Sequence, residues 1–179
     1  MRVLPILARW EPLYISEVPQ RWYRTPLALR RIEAALEAWR GTRYGSGQRL
    51  RGVAADCIGA ALGVIDDVDG RPRAQDPSVP ADTSLHDPAS ARRAVVALRR
   101  LYMPCERVRD GLLQPLDVVV FGPSGGGPGH VMLVGPRRNT LWHCTREAGF
   151  HQSGWSTIEG YEVMAAYRMS DRHRWLERR

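Results

Sequence analysis

Apolar positions recur along this chain with two different periods, and the change from one to the other divides it. From Thr25-Pro26 onward, Leu29, Ile32, Leu36 and Trp39 fall three or four residues apart. That spacing predicts a helix to about Arg40, with Thr25 as N-cap, Pro26 as first helical residue and Gly41 as the stop. A second helix is predicted from Asp56 to about Asp67, capped by the Asp56 side chain. A third starts at Asp87-Pro88, with Ala91, Val95, Leu98 and Tyr102 on one stripe and paired arginines on the solvated side. After Asp117 the period falls to two, and strands are predicted at 117–121, 130–134, 140–145 and 162–168. Helices first and strands afterwards indicate an α+β domain, with N-terminal helices packed on a small antiparallel sheet.

The segments between these elements set the domain limits. Residues 1–24 form an arm bearing Trp10, Tyr14, Trp22 and Tyr23, residues 25–170 form one domain, and 171–179 are a basic tail. Residues 69–87 are rich in Pro and Asp without periodicity and read as an insertion loop. Gly122 to Gly129 lacks the Gly-Lys-Ser/Thr of a phosphate loop and reads as a flexible connection beside His130. Within the strands, His130, Met132 and Val134 alternate with Val131 and Leu133, while Leu141, His143 and Thr145 share one face and Trp142 and Cys144 the other. A hairpin loop over Gly135–Arg138 would pair Val134 with Asn139 and set His130 opposite His143.

Composition narrows the partners. The positive charge behind the net +7 is all arginine, since the chain has no lysine, and it suits an anionic partner, a cell-wall polymer and nucleic acid alike. Nucleic acid is not favoured, because the basic residues are scattered among Glu and Asp without aromatic interleaving. Cysteines at 57, 105 and 144 give an odd count with no CxxC spacing, so neither a disulfide framework nor a zinc cage is indicated, and no cofactor is expected. Zinc held by Cys57, His130 and His143 is the weaker alternative use of those side chains. The apolar stretch at the start is cut by Pro5, Arg9 and Glu11, too interrupted for a secretory signal, and no segment reaches membrane-spanning length.

Cys57 carries the chemistry. It stands as Ala55-Asp56-Cys57-Ile58-Gly59 at a predicted helix start, where the helix dipole and a nearby imidazolium favour a thiolate over a thiol that otherwise titrates near ~8.5. An unusually acidic thiol is therefore expected, with His130 or His143 as its base.

Gly41-Thr42-Arg43-Tyr44, Gln48, Gly52 and Asp56-Cys57-Ile58-Gly59, followed by Leu112-Leu113-Gln114-Pro115-Leu116-Asp117, Gly129-His130-Val131 and Leu141-Trp142-His143, resemble the NlpC-type cell-wall cysteine peptidases. The likeness is greatest to the branch carried by tailed phages and gene transfer agents, and it runs from about Pro26 to Met169. A Gly-Asp pair is usual at the turn into the first strand, so Leu116 departs from the family pattern. The resemblance implies a papain-like fold in which Cys57 is the nucleophile, His130 the base and His143 the residue orienting it. It implies that Tyr44 lies near the nucleophile and contacts the substrate or oxyanion. The implied substrate is the stem peptide of peptidoglycan, and the implied setting is a virion tail tip, assembled in the host cytoplasm with phage or gene-transfer-agent tail and baseplate proteins. Two alternatives share these signals: a structural tail-tip protein that keeps the fold without turnover, and an amidase or acyltransferase using the same nucleophile.

Overall fold

The computed structural model describes residues 25–70, 105–107, 113–123, 129–155 and 160–169. The arm at 1–24, the tail at 171–179, the helix expected after Asp87 and most of the two connecting segments lie outside these residues.

Helix α1 (Pro26–Trp39) begins where Thr25 accepts a hydrogen bond from the Ala28 N–H at 3.2 Å and Pro26 supplies a preset φ. Its buried stripe is Ala28, Ile32, Ala35, Leu36 and Trp39. Helix α2 (Cys57–Asp69) is capped by Asp56 and ends at Gly70 in the left-handed region, at φ 69°. Nearly every α2 side chain is buried, which makes it the central helix. The Trp39 indole donates to Asp67 at 2.8 Å, and Gly63 lets α2 approach the Trp39 ring so closely that a Cβ there would collide with it.

Three two-residue strands join the helices: β1 (Arg43–Tyr44), β2 (Arg49–Leu50) and β3 (Ala54–Ala55), in the order β1-β3-β2. A six-stranded sheet follows, of β4 (Cys105–Arg107), β5 (Val118–Pro123), β6 (His130–Val134), β7 (Thr140–Thr145), β8 (Gly149–Gly154) and β9 (Tyr161–Met169). Its order is β4-β9-β5-β6-β7-β8 and every neighbouring pair is antiparallel. The period-two reading thus locates β5, β6, β7 and β9 to within two residues, and misses β8.

Alternation sorts the sheet residues onto two sides. Val118, Val120, Val131, Leu133, Trp142, Cys144 and Phe150 pack with both helices, whereas Val119, Phe121, Met132, Val134 and Leu141 belong to a second cluster with Leu113 and Ala166. The edge by β8 is tied back to the end of α1, with Gly41 N–H donating to Phe150 O and Phe150 N–H to Thr42 O, both at 2.8 Å.

The turn into β5 forms despite the departure at Leu116. Gln114-Pro115-Leu116-Asp117 closes with an Asp117 N–H to Gln114 O bond of 3.0 Å, Pro115 stands second, and Leu116 takes φ 72°. This is a type II turn with leucine where glycine is the comfortable choice. The buried Leu116 side chain, 3% exposed in the helix-facing cluster, offsets the backbone cost.

Candidate active site

The surroundings of Cys57, the candidate nucleophile, are built from backbone N–H groups gathered on Asp56. Asp56 adopts an extended conformation, and its two carboxylate oxygens accept from the Gly59 N–H at 2.6 Å and the Gly47 N–H at 2.9 Å. It therefore serves as helix cap and as anchor of the β1–β2 loop. Gly59 is required by a close approach, because a Cβ there would strike the Gln48 carbonyl. Arg49 extends the clamp, pairing with Asp66 and donating to Leu62 O at 3.0 Å, so β2 lies along α2. Cys57 emerges as the first residue of α2, 7% exposed, with the backbone N–H groups of Val131 and Ile58 directed at its sulfur.

This setting reverses the expected acidity. Burial, reinforced by the Asp56 carboxylate, pushes the Cys57 thiol up to about 12, and the two N–H groups recover only part of that. The helix start is present, but desolvation of a charged sulfur outweighs it. At neutral pH the thiol keeps its proton. Cys144 is a buried neighbour, its thiol directed to the Ala55 carbonyl at 3.1 Å.

The imidazole side is built by register. His130 opens β6, beside the Val131 whose N–H faces the thiol, and its Nε2 lies 2.7 Å from Nδ1 of His143 on β7. The rings meet edge to face with centroids 4.9 Å apart. The expected pairing of Val134 with Asn139 is incorrect: Val134 pairs with Leu141 and Leu133 with Trp142. The loop is longer because Gly135 and Thr140 still bond, at 2.9 Å, around a turn whose last residue, Asn139, sits at φ 59°. Asn tolerates that left-handed conformation. The shift is two residues, an even number, so both histidines stay on one face and meet diagonally rather than directly opposite.

His143 is 8% exposed, and its pKa is lowered to about 3, first by burial and then by the neighbouring His130 and His151. It remains neutral across physiological pH and can accept a hydrogen bond from a protonated partner. Tyr44, on β1, lies within electrostatic reach of Cys57 and Asp56. Burial raises its hydroxyl pKa, while Arg146, hydrogen-bonded to the hydroxyl and 5.6 Å above the ring, opposes the rise. Tyr44 and Cys57 thus come together from β1 and α2, and His130 and His143 from β6 and β7, with Val131, next in sequence to His130, joining the two groups through its N–H at the Cys57 sulfur. Among the described residues no group of three or more His, Cys, Asp or Glu side chains is arranged to hold a metal ion.

One site residue has no counterpart in the sequence reading. His151 stands directly across β7–β8 from His143, with ring centroids 4.5 Å apart. A signal was available, since Gly149 after Arg146-Glu147-Ala148 is a hairpin loop ending in a left-handed glycine. Recognising it would have placed β8 against β7.

No protein-family model and no curated protein sequence matches the chain. Solved structures do. The NlpC/p60 domain of the peptidoglycan hydrolase SagA superposes with a TM-score of 0.50 at 17% identity, over 78% of this chain and 97% of that one. A Staphylococcus aureus Mu50 protein described as similar to a lipoprotein of the NLP/P60 family gives 0.51 at 16%, over 87% of this chain and 45% of its own. NlpC2 from Trichomonas vaginalis gives 0.52 at 13%, over 84% and 51%. The chain therefore spans about half the length of the last two. The fold is the α+β, papain-like NlpC/p60 arrangement.

Proposed function

We propose that this chain is a cysteine endopeptidase that cleaves the stem peptides of peptidoglycan. The observation that carries the reading is the 2.7 Å contact between His130 Nε2 and His143 Nδ1, with His130 next in sequence to the Val131 whose N–H is directed at the helix-start Cys57. It matches the chemistry of a base held by an acceptor. The likeness in fold to a peptidoglycan hydrolase domain supports the substrate class, and the positive charge suits an anionic wall.

In this mechanism the other ring nitrogen of His130, Nδ1, takes the Cys57 proton as the sulfur attacks the peptide carbonyl. Because the resting thiol is neutral, proton transfer and attack go together rather than through a stored ion pair. The imidazolium so formed donates from Nε2 to the neutral His143. Tyr44 and the N-terminus of α2 face the carbonyl oxygen as it becomes negative. His130 then gives the proton to the leaving amine, which departs and leaves a thioester on Cys57. Water, deprotonated by His130, adds to the thioester and releases the acid and the thiol.

We further propose that the protein acts as a component of a phage or gene-transfer-agent tail tip, where its partners are tail and baseplate proteins. This setting rests on the sequence resemblance between about Pro26 and Met169. Incubation of purified peptidoglycan with the full chain, followed by mass spectrometry of the fragments, tests the activity. New peptide termini with the wild type and none with Cys57→Ala are expected. A fold kept for docking without turnover is the second reading, favoured by the strongly raised thiol pKa. Absence of fragments with the wild type, together with its recovery in purified tail particles, would select it.

A further inference from the structure

A histidine that orients a catalytic base is ordinarily fixed through both nitrogens, one bonded to the base and the other to a carbonyl or carboxylate. Here only one is used. His143 Nδ1 meets His130, while His143 Nε2 is buried without a hydrogen-bond partner among the described residues. Among the described residues no hydrogen bond at Nε2 resists rotation of the ring, and a half-turn about the bond joining ring to Cβ would replace Nδ1 by a carbon at His130.

What does touch the ring is a third imidazole. His151 lies directly opposite on β8, 4.5 Å between centroids and tilted by 42°. That ring is fixed in its turn: its Nδ1 donates to the Gly149 carbonyl at 3.0 Å, which only accepts, and Gly149 is set by a left-handed turn at φ 66°. A Cβ on Gly149 would collide with the Thr42 carbonyl, so this turn is pinned against the end of α1. The support therefore runs from α1 through Gly149 and His151 to the face of His143.

We infer that His151 is a positioning residue, which by ring packing keeps His143 Nδ1 aimed at His130. The inference rests on the assignment of His130 as base only for its catalytic readout. Its structural content stands on the three rings alone.

The test uses the full chain with His151→Ala, which removes the ring, and His151→Phe, which keeps a flat ring without nitrogens. Long-range ¹H–¹⁵N correlation spectra report whether His143 Nδ1 is a hydrogen-bond acceptor, with or without catalysis. His151→Ala should lose that signature and lower kcat about tenfold at unchanged KM, the scale expected for a misaligned group. His151→Phe should keep the signature and recover kcat to within about threefold of wild type. Circular dichroism checks the fold, and His151→Thr, suited to a strand, replaces the alanine variant if that one unfolds. Retention of the acceptor signature in the alanine or threonine variant overturns the inference. So does a phenylalanine variant as damaged as alanine, which would mean that the nitrogens matter rather than the ring. If wild type hydrolyses no peptidoglycan, the function fails while the spectra still decide the role of His151.

Discussion

In the proposed reaction Cys57 and His143 serve the same chemistry, but they are held by different kinds of structure. Around Cys57 the constraints are local to one loop and one helix start: the Gly59 and Gly47 N–H groups donate to the Asp56 carboxylate, and Gly59 is fitted under the Gln48 carbonyl. Around His143 they are side chains from three strands, two ring contacts and one hydrogen bond, with the remaining nitrogen unpartnered among the described residues. The first arrangement fixes an atom by local geometry and tolerates little. The second depends on strand register and on packing of neighbouring rings, so it transmits changes made at a distance. The nucleophile side should thus fail through stability and the imidazole side through alignment.

The largest break in this comparison is His130→Ala. The thiol is pushed up to about 12, so its thiolate is scarce at pH 7 without a base. A loss of about 10²–10⁴-fold in kcat/KM is expected, the usual worth of a positioned general base, with melting temperature little changed. Hydrolysis measured by fragment release checks this. Full activity would exclude His130 as base.

Substitution of His143 separates alignment from mere occupancy. His143→Gln or His143→Asn retains an acceptor and should keep part of the rate, whereas His143→Ala should approach the His130 variant. The same residue makes stability pH-dependent. An unfolded histidine titrates near ~6.5, and folded His143 is lowered to about 3. Between those values the unfolded chain binds the extra proton, so stability present above pH 6.5 is lost as pH falls toward 3. At most on the order of 5 kcal/mol is involved. Thermal melts from pH 7 to 4 should show this acid limb in wild type, and His143→Gln should flatten it.

The contrast also explains what could be read from residues alone. Thr25-Pro26 and Asp56 announce the starts of both helices because a cap is a matter of a few consecutive residues. Cys57 was legible for that reason. The shared face of His130 and His143 was legible too, since parity survives a two-residue slip, but their actual pairing was not, because the loop around Asn139 decides it. His151 stayed hidden behind an unrecognised hairpin. The thiol acidity is not legible in the sequence, because burial, which opposes the helix-start effect, is a property of the assembled core.

Leu116 tests the join between the two regions, since its turn sets β5 beside β6. Leu116→Gly relieves a left-handed leucine, a gain of about 1–2 kcal/mol. It also removes a buried side chain, a loss of about 2–5 kcal/mol if the cavity does not close, and adds chain flexibility worth about 0.5–1 kcal/mol. The losses win, and a net destabilisation of roughly 2 kcal/mol is expected by chemical denaturation. A stabilised variant would show that backbone strain, not burial, dominates this turn.

The smallest expected effect lies at Asp56 and asks which force governs the nucleophile. Asn is as good a helix cap as Asp, so Asp56→Asn should keep α2 while removing one of the two carboxylate oxygens and the charge. Losing one of the two backbone bonds costs about 1–2 kcal/mol. The thiol pKa should fall, because Asp56 is the second cause of its rise, yet it should stay above that of an ordinary cysteine, because burial is the first. Alkylation rate against pH, measured on wild type and variant, reads this directly. A wild-type midpoint below ~8.5 would mean that the helix dipole and His130 govern the sulfur after all. A midpoint unmoved by Asp56→Asn would leave burial as the sole control, and the nucleophile side would then depend on the core as fully as the histidines depend on the sheet.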